Sequence, residues 1–435
     1  MKIMLIRTKA QSAYNVISPI VVEPLELEYI ATLLEDYKLQ YFIQDEVTSK
    51  RNTLKVFKEE KPQVVIMSGY LNNVSTMISY AVEMKKTNPS TIIIVGGVHA
   101  EVNYKDFFHE AIDIVCYSGG YKPLEHLASG SFNKDCFSGI KGICCKGEKG
   151  QWKINEREVF NPEKQKTPNR AFFYKNKNKF KYLNLGPCAM IKTSYGCPYS
   201  CNFCYCRLLN GGVYIQRGLE SVVEEIKSIN CKNIWIIDDT FLISRERLIA
   251  FAHMVRINKI EKNFIIYSRA DFIVKNKDLL PLMKEIGIKQ VIVGLEAVDS
   301  EELQGFSKGT DKNINENCVA FLKEFEIACI GLFVTHINYK KQDFNKLYKW
   351  IKRVGLKLCT FSIYTPLPGT ELYEKYKDEI RFHNYDKMDF LHLLIKPTNL
   401  SVLKYYFYFY ILHLKVYFNT LKLMLFNNEK SIKKQ

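Results

Sequence analysis

Apolar strand patterns and helical patterns alternate twice along this 435-residue chain, before and after a polar segment at residues 131–185. That segment is interpreted as a linker with a short hairpin around "GICCKGEKGQWKIN". The first alternation occupies residues 1–130. Its five strand patterns are short continuous apolar runs, namely "KIMLIRT", "LQYFIQDEV", "QVVIMSGY", "TIIIVGGVHA" and "IDIVCYSGG". Such runs indicate strands buried on both faces. Residues 1–130 are therefore predicted to form a doubly wound, Rossmann-like α/β domain with a parallel sheet.

Small residues stand where these predicted strands end. A doubly wound sheet binds ligands at the carboxyl ends of its strands, and glycine lets the backbone approach a ligand closely. Tight turns also require glycine, so the pattern leaves a ligand site and plain turns equally open. The residues concerned are Ser68, Gly69, Gly96, Gly97 and Gly119, with His99 following the fourth strand.

The second alternation predicts a partial barrel over residues 186–375. Six strand patterns, from "AMIKTSY" to "KLCTFSIYTP", are separated by five helical patterns. This is the spacing of β/α units, two units short of a closed eight-stranded barrel. We expect a TIM-like (β/α)6 fold with its active site at the C-terminal ends of the strands.

A cysteine-rich loop, "TSYGCPYSCNFCYCR", follows the first barrel strand. The N-terminal apolar run is too short for a signal peptide, so we expect the cysteines to lie in a reducing compartment. In such a compartment cysteines bind metals or are buried more often than they form disulfides. Zinc usually takes four ligands in two separated pairs, whereas iron–sulfur clusters are held by cysteine thiolates. Cys197, Cys201 and Cys204 stand at Cys-x3-Cys-x2-Cys, so we expect them to ligate a cluster and Cys206 to pack locally.

The spacing of the three cysteines, the aromatic residue before the third and the strand-end position resemble the radical S-adenosylmethionine (radical SAM) superfamily. The resemblance implies a [4Fe-4S] cluster whose open iron binds SAM. An electron from an external flavodoxin- or ferredoxin-type donor would cleave SAM to a 5′-deoxyadenosyl radical. The resemblance implies SAM-binding positions at Phe203, Asp238, Asp239, Arg269, Glu296 and Pro366.

The N-terminal domain resembles that of the radical SAM subfamily with a cobalamin-binding domain. The likeness lies in "VGGVHA" at the fourth strand and "NRAFF" after Pro168. It implies cobalamin binding by the strand-end residues Ser68, Gly69, Gly96, Gly97, His99 and Gly119. No Asp-x-His-x-x-Gly motif occurs, so no histidine ligand to cobalt is expected from that loop. His99 would touch the corrin or stabilise the turn, and Ser118-Gly119-Gly120-Tyr121 replaces the subfamily's frequent Gly-Glu-Gly-Glu.

The resulting hypothesis is a cytoplasmic cobalamin-dependent radical SAM enzyme that methylates an unactivated carbon of a small molecule or peptide. One alternative is ring formation or rearrangement with an N-terminal domain that does not bind cobalamin. Another is a non-catalytic iron–sulfur or RNA-binding protein, since the net charge is +16. The basic residues are spread along the chain, so nucleic acid is not the expected partner. The run "FFYKNKNKFKY" is interpreted as a solvated linker. No residue is assigned a catalytic role.

The tail at residues 376–435 is aromatic and basic. Its longest uncharged run, Tyr405 to Leu414, is far shorter than the roughly 20 residues that span a bilayer. The pattern is compatible with a helix packed on the barrel, a surface for a partner, or an interfacial helix making peripheral membrane contact.

Overall fold

A computed structural model describes residues 1–9, 19–147 and 149–432. At positions 134–136, 164 and 421–432 it describes the backbone alone. The chain divides into two compact units. The first comprises residues 1–198, 205–233 and 384–389, and the second comprises residues 199–204, 234–383 and 390–435.

The first unit contains a seven-stranded sheet. Its strands are β1 (Lys2–Arg7), β3 (Gln40–Asp45), β4 (Val64–Ser68), β5 (Ile92–Gly96), β6 (Ile114–Cys116), β7 (Ile143–Lys146) and β8 (Trp152–Ile154). The order β3-β1-β4-β5-β6 is parallel throughout. This is the 2-1-3-4-5 order of a doubly wound sheet, so the prediction for the N-terminal domain is confirmed.

Helices cover both faces of this sheet. They are α1 (Leu25–Asp36), α2 (Thr53–Glu60), α3 (Val74–Thr87), α4 (Val98–Asn103) and α5 (Lys122–Ser129). On one face, α2 and α3 bury Phe57 and Met77 against the sheet. On the other face, α1 and α5 bury Leu34 and Leu127. The continuous apolar strands of the sequence therefore reflect burial on both sides.

The segment predicted as a linker contributes to the first unit in two ways. The hairpin of β7 and β8 pairs antiparallel with β6 and so extends the sheet. Helix α6 (Ala171–Asn176) follows, and Phe173 and Phe180 are fully buried with their rings stacked 5.6 Å apart. The interpretation of this run as a solvated linker was therefore wrong for its aromatic residues, because they form a small core while the lysines face solvent.

Short strands complete the first unit. β2 (Ile20–Val21) pairs antiparallel with β9 (Lys181–Tyr182). β11 (Ser194–Tyr195) pairs antiparallel with β12 (Ile215–Gln216), and α7 (Leu219–Ser228) follows.

The second sheet has six strands in chain order, as the sequence predicts for a partial barrel. They are β10 (Cys188–Ile191), β13 (Asn233–Ile236), β14 (Asn263–Arg269), β15 (Ile288–Glu296), β16 (Ala328–Thr335) and β17 (Leu358–Ile363). The last four pair parallel to one another. The helices of this part are α8 (Arg245–Ile257), α9 (Ala270–Lys275), α10 (Leu280–Glu285), α11 (Ser300–Gly305), α12 (Lys312–Glu324), α13 (Lys341–Val354) and α14 (Glu371–Tyr376).

The tail forms one helix, α15 (Val402–Ile432). Its buried residues Tyr405, Phe409, Leu412 and Val416 follow a helical spacing. Helix α15 packs against α13 and β17. Packing on the barrel, one of the three alternatives for the tail, is therefore observed. Among the described residues, no helix combines the length and apolar character needed to cross a membrane.

Candidate active site

The cysteine loop is held by backbone contacts. Gly196 has φ +73°, and a Cβ there would lie 2.6 Å from the carbonyl oxygen of Val213. Only glycine fits this turn. Further along, the Cys204 N–H donates to the Cys201 carbonyl at 3.2 Å, and the Asn202 carbonyl accepts from the Leu372 N–H at 3.3 Å. These backbone contacts within the protein determine the path of the cysteine loop.

Arg269 lies against the second cysteine of the loop. It ends β14, and its guanidinium lies over the Tyr199 ring at 4.1 Å with Nη1 3.9 Å from the Cys201 sulfur. Asp271 accepts two hydrogen bonds from Arg269, at 2.9 and 3.2 Å. Burial raises the pKa of the Cys201 thiol, and the positive charges of Lys308 and Arg269 oppose that rise. Cations beside a buried cysteine favour its thiolate form.

A strained residue ends the fourth barrel strand. Glu296 has φ +58°, a left-handed conformation that costs a non-glycine residue about 1–2 kcal/mol. Its Oε1 accepts a hydrogen bond from Lys308 Nζ at 2.5 Å, and Lys308 also donates to the Gly294 carbonyl at 2.6 Å. A Cβ on Gly294 would lie 2.4 Å from both Glu296 Oε1 and Lys308 Nζ. Gly294 therefore leaves the space that the ion pair fills.

Asn315 fixes this strand end. Its side-chain amide donates to the carbonyls of Leu295 at 2.9 Å and Ala297 at 3.1 Å, the two residues that flank Glu296. Asn315 is fully buried on α12. The strained conformation persists because its neighbours are held on both sides.

An aromatic series connects the ends of several barrel strands. Phe203 contacts Phe306 edge-on at 5.1 Å, and Phe306 lies 6.2 Å from Tyr364. The Tyr364 ring lies 4.3 Å from that of His336. His336 directly follows β16 and Tyr364 directly follows β17. These rings form an apolar wall where barrels carry their active sites.

The remaining predicted SAM positions also follow strands. Asp238 is buried and Asp239 is half-buried, both just after β13. Pro366 is buried after β17. Their roles toward SAM stay predictions.

In the first unit, two predicted positions lie where the turns after β4 and β5 are closely packed. Gly97 has φ +102°, and a Cβ there would lie 2.6 Å from the carbonyl oxygen of Gly69. A Cβ on Gly69 would lie 2.8 Å from Asn73 Cβ and Met77 Sδ. The turns after β4 and β5 thus meet backbone to backbone beside the buried Ser68. Gly96 is less constrained, since its Cβ would meet Cys116 at an ordinary 3.6 Å.

His99 is fully buried, and both of its ring nitrogens have partners. Nδ1 lies 3.0 Å from the Tyr205 hydroxyl and Nε2 lies 2.7 Å from an oxygen of Asp106. Phe107 and Tyr385 pack edge-on against the ring. These contacts account for His99 as the residue that stabilises the turn, the second of its two interpretations. Its role toward a corrin stays a prediction.

At the fifth strand, Gly119 is covered by protein. It has φ +82°, and a Cβ there would lie 2.5 Å from the side chain of Glu158, which pairs with Lys122. Gly120 is similarly covered by the ring of Phe160. Packing therefore explains both glycines, and a contact of Gly119 with a cofactor stays a prediction.

A buried ion network lies in the first unit, upstream of the cysteine loop. It comprises Arg170, Arg217, Glu23, Glu28 and Glu225. Arg170 donates at 2.7 Å to Glu23, to Glu225 and to the Met190 carbonyl of β10. The network thereby fixes the strand from which the loop departs. Burial and the neighbouring Glu23 raise the pKa of Glu28 well above its usual range.

Comparisons with known proteins agree with this geometry. Residues 191–351 match the model of the radical SAM superfamily, and residues 16–128 match the model of the B12 binding domain. The chain belongs to the cobalamin-binding radical SAM enzymes. Members of this class use a [4Fe-4S] cluster, SAM and cobalamin.

Relatives of this radical SAM enzyme share most of its length. It is 27% identical over 393 residues to the hopanoid C-3 methylase of Methylococcus capsulatus, covering 88% of this chain and 74% of that protein. Its fold is similar to the methyltransferase TsrM of Kitasatospora setae, solved with cobalamin and a [4Fe-4S] cluster, with a TM-score of 0.68, 17% identity and coverage of 87% and 78%. It is also similar to the cobalamin-dependent radical enzyme OxsB, with a TM-score of 0.66, 17% identity and coverage of 88%. The chain spans little more than half, 56%, of the OxsB chain.

The residues of this radical SAM enzyme fit its cofactors. Three thiols within eight residues supply the donors that an iron–sulfur cluster requires. Among the described residues, no three His, Cys, Asp or Glu side chains converge as ligands of a single ion. A cubane does not need such convergence, because each thiolate binds a different iron. In the first unit, Gly69 and Gly97 lie just after β4 and β5, at the strand ends where a doubly wound sheet binds ligands.

Sequence reasoning missed several residues of these sites. Tyr199 and Asp271 position Arg269, Asn315 fixes Glu296, and Tyr205 holds His99. Lys308, which pairs with Glu296, was also not predicted as a site residue. A lysine or asparagine distant in sequence gives no periodic signal. The exception is Tyr199, which lies inside the cysteine motif.

Proposed function

We propose that this enzyme transfers a methyl group to an unactivated carbon of a largely apolar small molecule. The observation that carries the proposal is the combination, in one chain, of the Cys201 loop packed on Arg269 and a doubly wound sheet with Gly69 and Gly97 at its strand ends. When bound, the cofactors supply radical hydrogen abstraction and a transferable methyl group. The similarity to a hopanoid C-3 methylase supports methyl transfer as the outcome.

The chain's own residues prepare the site for this chemistry. Cys197, Cys201 and Cys204 would hold the cluster, with Arg269 providing positive charge beside the second thiolate. The Glu296–Lys308 pair would present a fixed polar edge to the ribose of SAM. Both ions are buried, so their positions are set before a ligand arrives.

The aromatic wall supports an apolar substrate with few polar groups. His336 Nδ1 accepts a hydrogen bond from the Asn338 N–H at 3.3 Å, so the neutral ring carries its proton on Nε2. Burial lowers the pKa of His336, which favours this neutral form. His336 would then offer one hydrogen-bond donor among the rings of Phe306 and Tyr364. One donor in an apolar wall orients a substrate without requiring a charged one.

Anaerobic reconstitution with iron, sulfide, cobalamin and SAM tests the proposal. We expect corrin absorption bands to co-elute with the protein, together with the charge-transfer absorption of the cluster. Cys201→Ala is expected to abolish the cluster absorption and SAM cleavage, whereas the matched variant Cys206→Ala keeps both. An intact cluster in Cys201→Ala would refute the ligand assignment.

SAM labelled with a deuterated methyl group tests the reaction type, with an external flavodoxin or ferredoxin as electron donor. Incorporation of the label into a candidate apolar substrate supports methyl transfer. Formation of 5′-deoxyadenosine with an unlabelled, cyclised or rearranged product would instead establish the alternative reaction class. Absence of corrin from the reconstituted protein would contradict the cobalamin-dependent reaction.

A further inference from the structure

Helix α15 is firmly attached to the second unit by one face. The Tyr405 hydroxyl donates at 2.9 Å to the carbonyl of Thr335 at the end of β16. Fifteen positions later, the Thr420 hydroxyl donates to the Lys357 carbonyl at 2.7 Å. Between them, the fully buried Phe409 packs against His413. Residues 402–420 of the helix are therefore fixed in rotation, and their opposite face is fixed toward solvent.

That opposite face is apolar and aromatic. Its side chains are between 51% and 83% exposed and recur at intervals of three and four residues. They are Leu403, Phe407, Tyr410, Leu414, Tyr417 and Phe418. Scattered exposed apolar residues are ordinary on a protein surface, but a continuous aromatic stripe marks an interaction surface. We name these six residues the outer stripe.

The helix segment that carries the outer stripe has charges of a single sign. Residues 402–426 contain no aspartate or glutamate, and Lys404 and Lys415 are exposed beside the stripe. Lys415 reaches the side chain of Asn345 on α13, which lines an open groove of about 460 Å³. Of the four basic residues of that groove, Lys312 and Arg353 pair with Glu316, and Lys346 pairs with Asp299. Aromatic and aliphatic side chains beside the exposed Lys404 and Lys415 match the interface of an anionic bilayer, where rings sit at headgroup level and lysines meet lipid phosphates.

We propose that the outer stripe of α15 binds the surface of an anionic phospholipid membrane, with the helix lying in the plane of the interface. A second copy of the chain fits the stripe less well. Paired helices favour branched aliphatic residues at their contact positions and opposite charges beside them. Here the contact positions are mainly Phe and Tyr, and a second copy would bring like charges together.

Flotation of the full-length protein with vesicles tests this inference. We expect binding to vesicles of phosphatidylcholine with one quarter phosphatidylglycerol, and much weaker binding to pure phosphatidylcholine. The double variant Phe407→Ser/Tyr410→Ser is expected to reduce binding at least about tenfold. The matched control is Ile249→Ser/Ile257→Ser on α8, where both side chains are also exposed. This control should bind as the wild type does.

The contribution of the lysine charges to binding and the depth at which the helix inserts provide two further readouts. Lys404→Gln/Lys415→Gln is expected to weaken binding about 25-fold at low salt, since one lysine at an anionic surface contributes about 1 kcal/mol. A Phe407→Trp variant should show a blue shift of its fluorescence on anionic vesicles. Equal binding of the serine variants and their control would overturn the proposal. So would a concentration-dependent dimer in sedimentation velocity that Phe407→Ser/Tyr410→Ser dissociates, because a second copy would then occupy the stripe.

Discussion

Replacement of Arg170 by methionine is expected to destabilise the first unit by about 3–5 kcal/mol, the usual cost of removing one partner from a buried ion pair. Arg170 makes three hydrogen bonds of 2.7 Å, two of them to carboxylates. Its side chain is 5% exposed, and those of Glu23 and Glu225 are fully buried. Methionine fills a similar volume but leaves Glu23 without a cation.

A surface ion pair provides the matched control. Arg245 pairs with Asp278 at 2.5 Å, a geometry as close as any in the network, but the two side chains are 42% and 60% exposed. Exposed pairs contribute about 0–1 kcal/mol because water and salt screen them. Arg245→Met should therefore lower the free energy of unfolding far less than Arg170→Met does.

The raised pKa of Glu28 sharpens the test. Burial favours its neutral form, in which two arginines face two carboxylates. Glu28→Gln preserves the neutral state and should cost less than about 1 kcal/mol, whereas Glu225→Gln leaves both arginines undercompensated and should cost about 3 kcal/mol or more.

Urea unfolding followed through Trp152 measures these changes. The three tryptophans of the chain are Trp152, Trp235 and Trp350. Only Trp152 lies in the first unit, so a Trp235→Phe/Trp350→Phe background reports that unit alone. An effect of Arg170→Met no larger than that of Arg245→Met would refute the reasoning that burial makes the network strong.

Three further outcomes follow from the geometry. Gly294→Ala should weaken SAM binding in calorimetry because its Cβ enters the space of the ion pair 2.4 Å away, whereas Gly305→Ala, with open space around its Cβ, should bind SAM as the wild type does. Burial raises the pKa of Glu302 to about 7, so the folded state binds a proton that the unfolded state releases. Stability of the second unit should then fall by roughly 3 kcal/mol as the pH rises from about 4.5 to above 7, and Glu302→Gln should remove that slope. Gly97→Ala should lower cobalamin retention and the unfolding temperature, while Gly139→Ala, with no neighbour within 4 Å, should change neither.

Periodic patterns predicted much of the fold. Continuous apolar strands identified the parallel strands of the first sheet and the six strands of the second sheet, because burial on both faces leaves a local signature. The hairpin of β7 and β8 was recognised, but its attachment to β6 was not. Whether a hairpin pairs with a particular strand depends on which strand lies at the edge of the sheet, and the local sequence does not contain that information.

The polar residues of the sites were less accessible to sequence reasoning. The three cysteines stand within one loop and form a local motif. By contrast, Arg170 and Glu225 are 55 positions apart, and Glu23 precedes Arg170 by 147. His99 was predicted as a turn residue or a corrin contact, and its burial between Tyr205 and Asp106 could be seen only in three dimensions.

The polar residues around the proposed SAM site are held by protein partners rather than left for a ligand to order. Glu296 adopts a left-handed conformation only because Asn315 holds both neighbouring carbonyls and Lys308 neutralises its charge. A flexible carboxylate would lose side-chain entropy on binding a ligand, whereas this one loses little. The conformational cost of about 1–2 kcal/mol is thus incurred on folding instead of on binding. Fixed groups of this kind stabilise a reacting ligand without reorganising during the reaction. The strain at Glu296 therefore supports placing the reactive end of the barrel at this strand end.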